Sequence, residues 1–173
     1  MEIAGKPIIH HVIDACKYAG LKTVVAVPYG DTELIECIDR SCEVIEGPEI
    51  DVAGRFAKVL LMKKPYRFVR VCADSPFLKV HDINSVSRTY QNYDVVRTVG
   101  CAGRNVECVD TITFLYHRPL FNKDCREHVT SYFYSGISDF KIRDKPLEGE
   151  SCVVDTQEDF DRVKKMMEDR LKA

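Results

Sequence analysis

The chain has 173 residues, of which 45% are hydrophobic and 30% are charged. This length and composition predict a single globular domain over residues 1–173 and exclude a disordered protein. The 25 Lys and Arg residues and the 27 Asp and Glu residues give a net charge of −2. Because nucleic-acid binders and membrane-surface proteins usually carry strongly basic faces, we expect neither a nucleic-acid partner nor a membrane partner.

Targeting and cysteine patterns favour a reducing compartment. No apolar run approaches the ~20 residues of a membrane span, and the start of the chain lacks the pattern of a signal peptide. The 8 cysteines form no C-x-x-C motif and no Cys/His pair at zinc-finger spacing. We interpret most of them as small buried hydrophobes or surface thiols, and we expect a cytoplasmic protein.

The hydrophobic pattern alternates between helical and strand spacing along the chain. It predicts helices over 8–20, 32–40, 51–64, 82–92, 124–134 and 156–172, and strands over 23–28, 42–47, 66–74, 93–99, 137–144 and 152–155, with a further strand beginning at 106. This alternation indicates βαβ units and a mainly parallel sheet covered on both faces. Ligands bind such sheets beyond the carboxyl ends of the strands, so polar residues directly after strands carry the most functional weight.

Two aspartates follow predicted strands. Asp74 precedes Ser75-Pro76, and proline favours an extended residue before it, so the Asp74 carboxylate should be presented at the rim of the sheet. A hard carboxylate at that position suits Mg²⁺ bound together with substrate phosphates. Asp155 precedes the predicted cap residue Thr156 and can supply a second metal carboxylate. The alternatives are a turn or cap role for Asp74 and a favourable charge near a helix N-terminus for Asp155.

Arg55 lies near the start of the predicted helix 51–64. An arginine beside a helix N-terminus can hold a phosphate or a base edge. Asp51 can cap this helix, and Gly54 leaves room for the close approach of a ligand or another backbone. The alternative is a solvated Arg55 that pairs with Asp51.

The motif R-E-H-V-T lies on the predicted helix 124–134. Arg126 and Thr130 are four residues apart and share a helix face, and His128 could act as an acid or base, although a structural or partner-facing role is the alternative. The sequence contains no G-x-S-x-G elbow and no G-x-x-x-x-G-K-[ST] loop, so neither a serine hydrolase nor a P-loop enzyme is supported.

Six fragments in order resemble motifs of the spore-coat polysaccharide cytidylyltransferase family, which is related to the synthetases of CMP-activated acidic sugars. The fragments run from Gly5 almost to the C-terminus and read G-K-P-I-I-H-H-V-I-D, E-G-P-E-I-D-V-A-G-R-F, V-R-V-C-A-D-S-P-F-L, G-R-N-V-E-C, C-R-E-H-V-T-S-Y-F-Y and V-V-D-T-Q-E-D-F-D-R-V.

The resemblance implies an α/β, Rossmann-like three-layer nucleotidyltransferase fold. It also implies transfer of a nucleotide from CTP or another triphosphate to a sugar or sugar phosphate in surface polysaccharide biosynthesis, with release of pyrophosphate and with Mg²⁺ as cofactor. A homodimer through the R-E-H-V-T side is compatible with it. The site residues that it implies are Asp74 and Arg55 for catalysis, Asp74 and Asp155 for the metal, and Asn105, Glu107, Arg126 and His128 for the acceptor.

Departures from the family pattern leave other interpretations open. In the family, a strand and a basic phosphate-binding loop precede G-K-P, whereas Met1 stands four residues before it here. We therefore expect an N-terminally incomplete domain with poor turnover, and strands 22–27 and 68–73 within one strand's width of each other, with residues 1–3 too short to fill the gap. A degenerate homologue that only binds a partner or sugar is one alternative. A nucleotide-sugar glycosyltransferase is another, although those enzymes normally carry D-x-D and this chain reads Asp-Ser-Pro.

Overall fold

The structure is a computed structural model that describes residues 2–89, 91–137 and 139–172. The helices are α1 (Ile8–Tyr18), α2 (Thr32–Cys37), α3 (Val52–Lys63), α4 (Val80–Ser87), α5 (Thr111–His117), α6 (Lys123–His128) and α7 (Gln157–Lys172). The strands are β1 (Glu2–Ile3), β2 (Lys6–Pro7), β3 (Val24–Pro28), β4 (Glu43–Gly47), β5 (Arg67–Val71), β6 (Val95–Val99), β7 (Val106–Asp110) and β8 (Ile142–Pro146). None of the described helices is long and apolar enough to cross a bilayer.

The strands form a short hairpin and two further sheets. β1 pairs antiparallel with β2, and β3 pairs in parallel with β4. The largest sheet has the order β5-β7-β6-β8 and is mixed, because β7 runs antiparallel to both of its neighbours while β6 and β8 are parallel. The reversal at β7 has a simple cause: the loop 100–105 is too short for the crossover that a parallel neighbour needs.

Helices cover both faces of the largest sheet. On one face, α1 and α4 pack with Val96, Val106 and Cys108. On the other face, α3, α5 and α6 pack with Val95 and Val109. This three-layer arrangement confirms the predicted α/β fold class, with the mixed sheet as its main difference from a parallel one.

β3 and β5 each have a strand partner on one side only, within the described residues. The same two helices pack against both strands. α1 shares one apolar cluster with Val27 of β3 and another with Val69 of β5. α3 packs on β3, and its Phe56 ring contacts the Phe68 ring of β5 with 6.0 Å between centroids. The two strands therefore pack on shared helices without pairing with each other among the described residues. We term the region between their unpaired edges the slot. β1 pairs with β2 and takes no part in this slot.

Several element predictions are corrected by the structure. Residues 152–155 form no strand, because their backbone bonds go to loops: Cys152 N–H donates to Ala102 C=O and Val154 N–H donates to Asp74 C=O. The β-branched run after β7 forms α5, which Asp110 caps through the N–H of Thr113.

The helix expected over 124–134 ends at His128 because Val129 adopts a φ of 58°. The strand expected over 137–144 lies at Ile142–Pro146, and the helix expected over 82–92 lies at Val80–Ser87; residues 90 and 138 of these predictions lie outside the described residues.

Candidate functional site

One rim of the largest sheet collects the polar residues that follow its strands. The register pairs Val71, the last residue of β5, with Val106, the first residue of β7. Asn105 and the segment after Val71 therefore lie at the same edge, and Asn105 is exposed there. The N–H of Val154 donates to the C=O of Asp74 at 3.2 Å, so the segment that carries Asp155 joins this rim.

Asp74 and Asp155 differ in their surroundings. Asp74 is half-buried, and its Oδ1 accepts a hydrogen bond of 2.9 Å from the Ser75 hydroxyl, whereas Asp155 is exposed. Both carboxylates lie within electrostatic reach of Cys72: burial is the main cause that raises the pKa of this thiol, Arg70 opposes the shift, and Asp74, Glu107 and Asp155 add to it. The structure thus places three carboxylates around one strand end.

The residues at this rim suit a hard cation that also binds phosphate oxygens. The described residues contain no cluster of three or more His, Cys, Asp or Glu side chains that could hold a metal unaided. A pair of carboxylates is the donor set expected for Mg²⁺, which usually keeps water and takes its remaining ligands from phosphates. Asp74 and Asp155 are the residues that would hold such an ion.

Glu107 is the centre of a buried hydrogen-bond network. It is only 7% exposed and faces Arg70 across the β5–β7 ladder, with 2.7 Å between Arg70 Nη1 and Glu107 Oε2. The hydroxyl of Thr130 donates to the carboxylate at 2.7 Å and that of Tyr134 donates at 2.7 Å. A carboxylate with one cationic and two hydroxyl donors is well satisfied in the interior, so its position is firmly fixed.

A strained turn aims Thr130 at this carboxylate. Val129 has φ 58° and ψ −59°, and the N–H of Thr130 donates to the C=O of His128 at 2.6 Å, which is a γ-turn of the rare type. A β-branched residue at positive φ costs free energy that surrounding contacts must offset. The Val129 side chain is fully buried in the cluster that also contains Phe133, and the Thr130–Glu107 bond adds to that support.

Arg97 and Tyr134 form the outer part of the network. The guanidinium of Arg97 lies 3.7 Å from the centroid of the Tyr134 ring, and its Nε donates to Asp144 of β8 at 2.8 Å. Burial is the main cause that raises the pKa of the Tyr134 phenol, and the adjacent Glu107 carboxylate raises it further. Tyr134 is therefore a neutral hydrogen-bond donor at physiological pH.

Arg55 lies against Gly47 at the end of β4. Its side chain packs so closely on Gly47 that a Cβ at that glycine would stand 2.4 Å from Arg55 Cγ. Its Nε and Nη1 are buried and have no hydrogen-bond partner among the described residues. Burial lowers the pKa of this guanidinium, and the carboxylates of Asp31 and Glu49 oppose the shift. A cationic group with open donors beside the first turn of a helix is suited to an anion.

Asp51 does not pair with Arg55. Its Oδ1 caps α3 by accepting from the N–H of Gly54 at 2.7 Å, and its Oδ2 lies 2.5 Å from Arg118 Nη2 and 3.6 Å from Arg126 Nη1. A Cβ at Gly54 would stand 2.6 Å from Asp51 Oδ2 and 2.7 Å from Arg118 Nη2, which explains the glycine at this position. The alternative interpretation of Arg55 as the partner of Asp51 is wrong, because Arg118 and Arg126 occupy that carboxylate.

The structure therefore divides the residues expected at the site. Asp74, Asn105 and Asp155 share the strand rim, and Glu107 lies just inside it. Arg126 belongs instead to the Asp51 cluster, and the exposed His128 lies 3.5 Å from Asp124.

Sequence reasoning missed Arg70, Arg97 and Tyr134 as members of the site. It expected Thr130 on a helix face with Arg126, whereas the helix ends at His128 and Thr130 bonds Glu107. An arginine within an apolar strand, as at Arg70, was the one available signal, since a buried cation requires a partner.

Comparisons with known proteins show similarity over nearly the whole chain. A family model described as Cytidylyltransferase matches residues 1–172. No curated protein matches the chain. Among solved structures, a cytidylyltransferase from Leptospira borgpetersenii serovar Hardjo-bovis superposes with a TM-score of 0.86 at 15% identity, over 97% of this chain and 78% of that chain.

Two further structures share the fold. A CMP:2-keto-3-deoxy-manno-octonic acid synthetase in complex with CTP has a TM-score of 0.78 and 14% identity, with 98% of this chain and 91% of that chain covered. A Mycobacterium tuberculosis protein in complex with manganese has a TM-score of 0.75 and 13% identity, with 95% and 89% covered.

Proposed function

This chain belongs to the cytidylyltransferase family, and we propose that it transfers the cytidylyl group of CTP to an oxygen of a sugar or sugar phosphate, with release of pyrophosphate. The observation that carries the proposal is the meeting of Asp74 and the Asp155 segment at the strand rim through the bond from Val154 N–H to Asp74 C=O. This is where open α/β sheets bind their ligands. The resemblance to the spore-coat family supports an acceptor used in surface polysaccharide biosynthesis.

The proposed reaction needs positioning and charge neutralisation rather than a covalent nucleophile. The acceptor oxygen attacks the α-phosphorus of CTP, a new O–P bond forms, and the bond between the α-phosphorus and the β-phosphate oxygen breaks, so that pyrophosphate leaves. A divalent ion held by Asp74 and Asp155 supplies positive charge for the phosphate oxygens when it is bound. Mg²⁺ is the ion that the resemblance implies, and a manganese complex with this fold supports divalent metal use.

The chain's own residues have separate roles in this proposal. Arg55 binds an anionic group of the nucleotide through its open Nε and Nη1. Asn105, which is exposed on the rim, hydrogen-bonds the acceptor.

Glu107 acts as a positioning residue, because its carboxylate is already engaged by Arg70, Thr130 and Tyr134. This network holds the start of β7, next to Asn105, in place. Arg126 and His128, which lie on α6, contact parts of the acceptor away from its reacting oxygen.

Calorimetric titration with CTP and MnCl₂ tests the site. We expect CTP to bind more tightly with Mn²⁺ than without it. Asp74→Asn and Asp155→Asn should each weaken CTP binding in the presence of Mn²⁺ by roughly 10–100-fold, and so remove most of that gain, because each removes a charged ligand. Asp124→Asn is the matched control, since Asp124 is an exposed aspartate that pairs with His128 away from the rim.

Two results would contradict the proposal: equal CTP affinity with and without Mn²⁺ in the unaltered protein, or a loss in Asp124→Asn as large as in Asp74→Asn.

A further inference from the structure

Two cysteines outside the proposed site line one cavity. The cavity measures about 210 Å³ and lies between the loop 100–105 and the segment 148–152, with Cys101 and Cys152 in its wall beside Met166 of α7. Both cysteines are buried, at 3% and 4% exposure, and both are reduced thiols in the structure. The exposed residues Glu148–Glu150 form its outer edge, so small solutes can reach it.

The two sulfurs converge on one backbone oxygen. Cys101 Sγ donates to the C=O of Glu150 at 3.2 Å, and Cys152 Sγ donates to the same oxygen at 3.0 Å. The sulfurs are therefore no farther apart than two hydrogen-bond lengths. Their backbones are also in contact, because Cys152 N–H donates to Ala102 C=O at 2.8 Å and a Cβ at Gly103 would stand 2.3 Å from the carbonyl carbon of Cys152.

A disulfide needs a Cα separation of roughly 4.4–6.8 Å and sulfurs that can move into contact, and the shared acceptor and the contact of residues 102 and 103 with Cys152 bring the two thiols into the same small region. We propose that Cys101 and Cys152 form a reversible disulfide when the protein meets a hydroperoxide, and that this bond fastens the segment before Asp155 to the loop after β6. The proposal is independent of the proposed function, since the bond is measured by mass rather than by turnover.

The chemistry balances with hydrogen peroxide as the oxidant. Arg104, which is held by a two-point pair with Asp82, lines the cavity together with Cys101, and we expect the reaction to begin at Cys101. Its sulfur attacks the peroxide, an S–O bond forms, the O–O bond breaks, and water leaves. Cys152 then attacks the sulfenic acid, the S–S bond forms, and a second water leaves. Two thiols are oxidised by two electrons in total, and one peroxide is reduced to two waters.

A second thiol pair provides an internal control. Burial is the main cause that raises the pKa of Cys16 to about 11, and Cys42 lies close enough to add to that shift. Burial also raises the pKa of Cys42. Thiols with a raised pKa react slowly with peroxides, whereas Cys101 and Cys152 line a cavity that exposed residues border. Cys16 and Cys42 should therefore remain reduced at a dose that oxidises Cys101 and Cys152.

Peptide mapping by mass spectrometry tests the proposal on the intact protein. After brief exposure to hydrogen peroxide and alkylation of the remaining thiols, we expect one linked peptide pair that contains Cys101 and Cys152, lighter by two hydrogen atoms, and its disappearance on treatment with dithiothreitol. The oxidised protein should melt higher by roughly 4–16 °C, because the bond closes a long loop. Amides of residues 148–155 should exchange with solvent more slowly.

Variants separate this bond from general oxidation. Cys101→Ser and Cys152→Ser should each abolish both the linked peptide and the rise in Tm, whereas Cys125→Ser, a change at a buried cysteine of α6, should leave both unchanged. The proposal is overturned if Cys101 and Cys152 remain reduced or oxidise only to separate sulfinic acids. It is also overturned if Cys16 and Cys42 link at the same dose, since access through the cavity would then not control reactivity.

Discussion

Replacing Glu107 by glutamine should destabilise the protein more than the loss of any surface ion pair. Glutamine keeps the shape of the side chain but removes the charge that faces Arg70 at 2.7 Å. The guanidinium of Arg70 stays positively charged and carries only donors. In Glu107→Gln it would have no negative charge facing it, in a site where the two side chains are only 18% and 10% exposed. Breaking a buried pair typically costs about 3–5 kcal/mol.

We expect a cost near the lower end, about 3 kcal/mol, because the residual exposure lets water reach Arg70. For a chain of this size that cost lowers Tm by roughly 6–12 °C. Urea unfolding followed by circular dichroism measures the free energy directly. Asp144→Asn is the control: it breaks the pair between Arg97 and the 49% exposed Asp144 on the same sheet and should cost less than about 1 kcal/mol.

A second substitution separates charge from packing. Adding Arg70→Met to Glu107→Gln removes the uncompensated cation, so the double variant should be more stable than the single one. The reasoning is refuted if Glu107→Gln unfolds within ~0.5 kcal/mol of the unaltered protein, or if Arg70→Met lowers stability further in its presence.

Three further predictions rest on other contacts. Arg55→Gln should weaken CTP binding by roughly 10–100-fold in calorimetry. It should not lower stability, because Nε and Nη1 of Arg55 have no hydrogen bond to the protein that could be lost; an unchanged CTP affinity would show that Arg55 does not bind the nucleotide. Burial lowers the pKa of His11, so the unfolded chain binds the proton more readily and stability should fall as the pH drops below about 6.5; His11→Gln should flatten that part of the urea-derived stability profile, and an equal slope in both proteins would count against it. Alternate amides of β3 and β5 that face the slot should exchange with deuterium much faster than those of β7, which is paired on both sides; equal protection in all three strands would mean that the slot is closed.

Local patterns were sufficient to predict most of the fold. Apolar β-branched runs became β3 and β6, and the caps expected at Asp51 and Thr156 both form, each with a side-chain bond to the first turn of its helix. These features depend on neighbours in sequence, which one sequence contains.

Features that depend on distant contacts were not predictable from the sequence. The run after β7 forms a helix although its residues favour strands, because tertiary packing around Phe114 outweighs propensity. The end of α6 is set by Val129, whose positive φ is supported only by the surrounding core and by the bond from Thr130 to Glu107.

The same limit applies to the site. Asp74 could be placed at the rim because it follows a recognisable strand, and the family resemblance pointed to both Asp74 and Asp155. The strand expected before Asp155 does not form, and the bond from Val154 N–H to Asp74 C=O brings its segment to the rim instead. Tyr134 could not be identified, because its link to Glu107 spans 27 residues and rests on how one short helical turn packs against β7.

Turnover measured with the protein tests the central claim most directly. The protein is incubated with CTP, Mg²⁺ and a panel of acidic and phosphorylated sugars, and pyrophosphate is measured alongside the CMP-linked sugar. The proposed function predicts that both products appear in equal amounts with at least one acceptor, and that Asp74→Asn lowers the rate at least ~100-fold while the fold is retained. Release of no pyrophosphate with any acceptor, or a rate unchanged by Asp74→Asn, would contradict it.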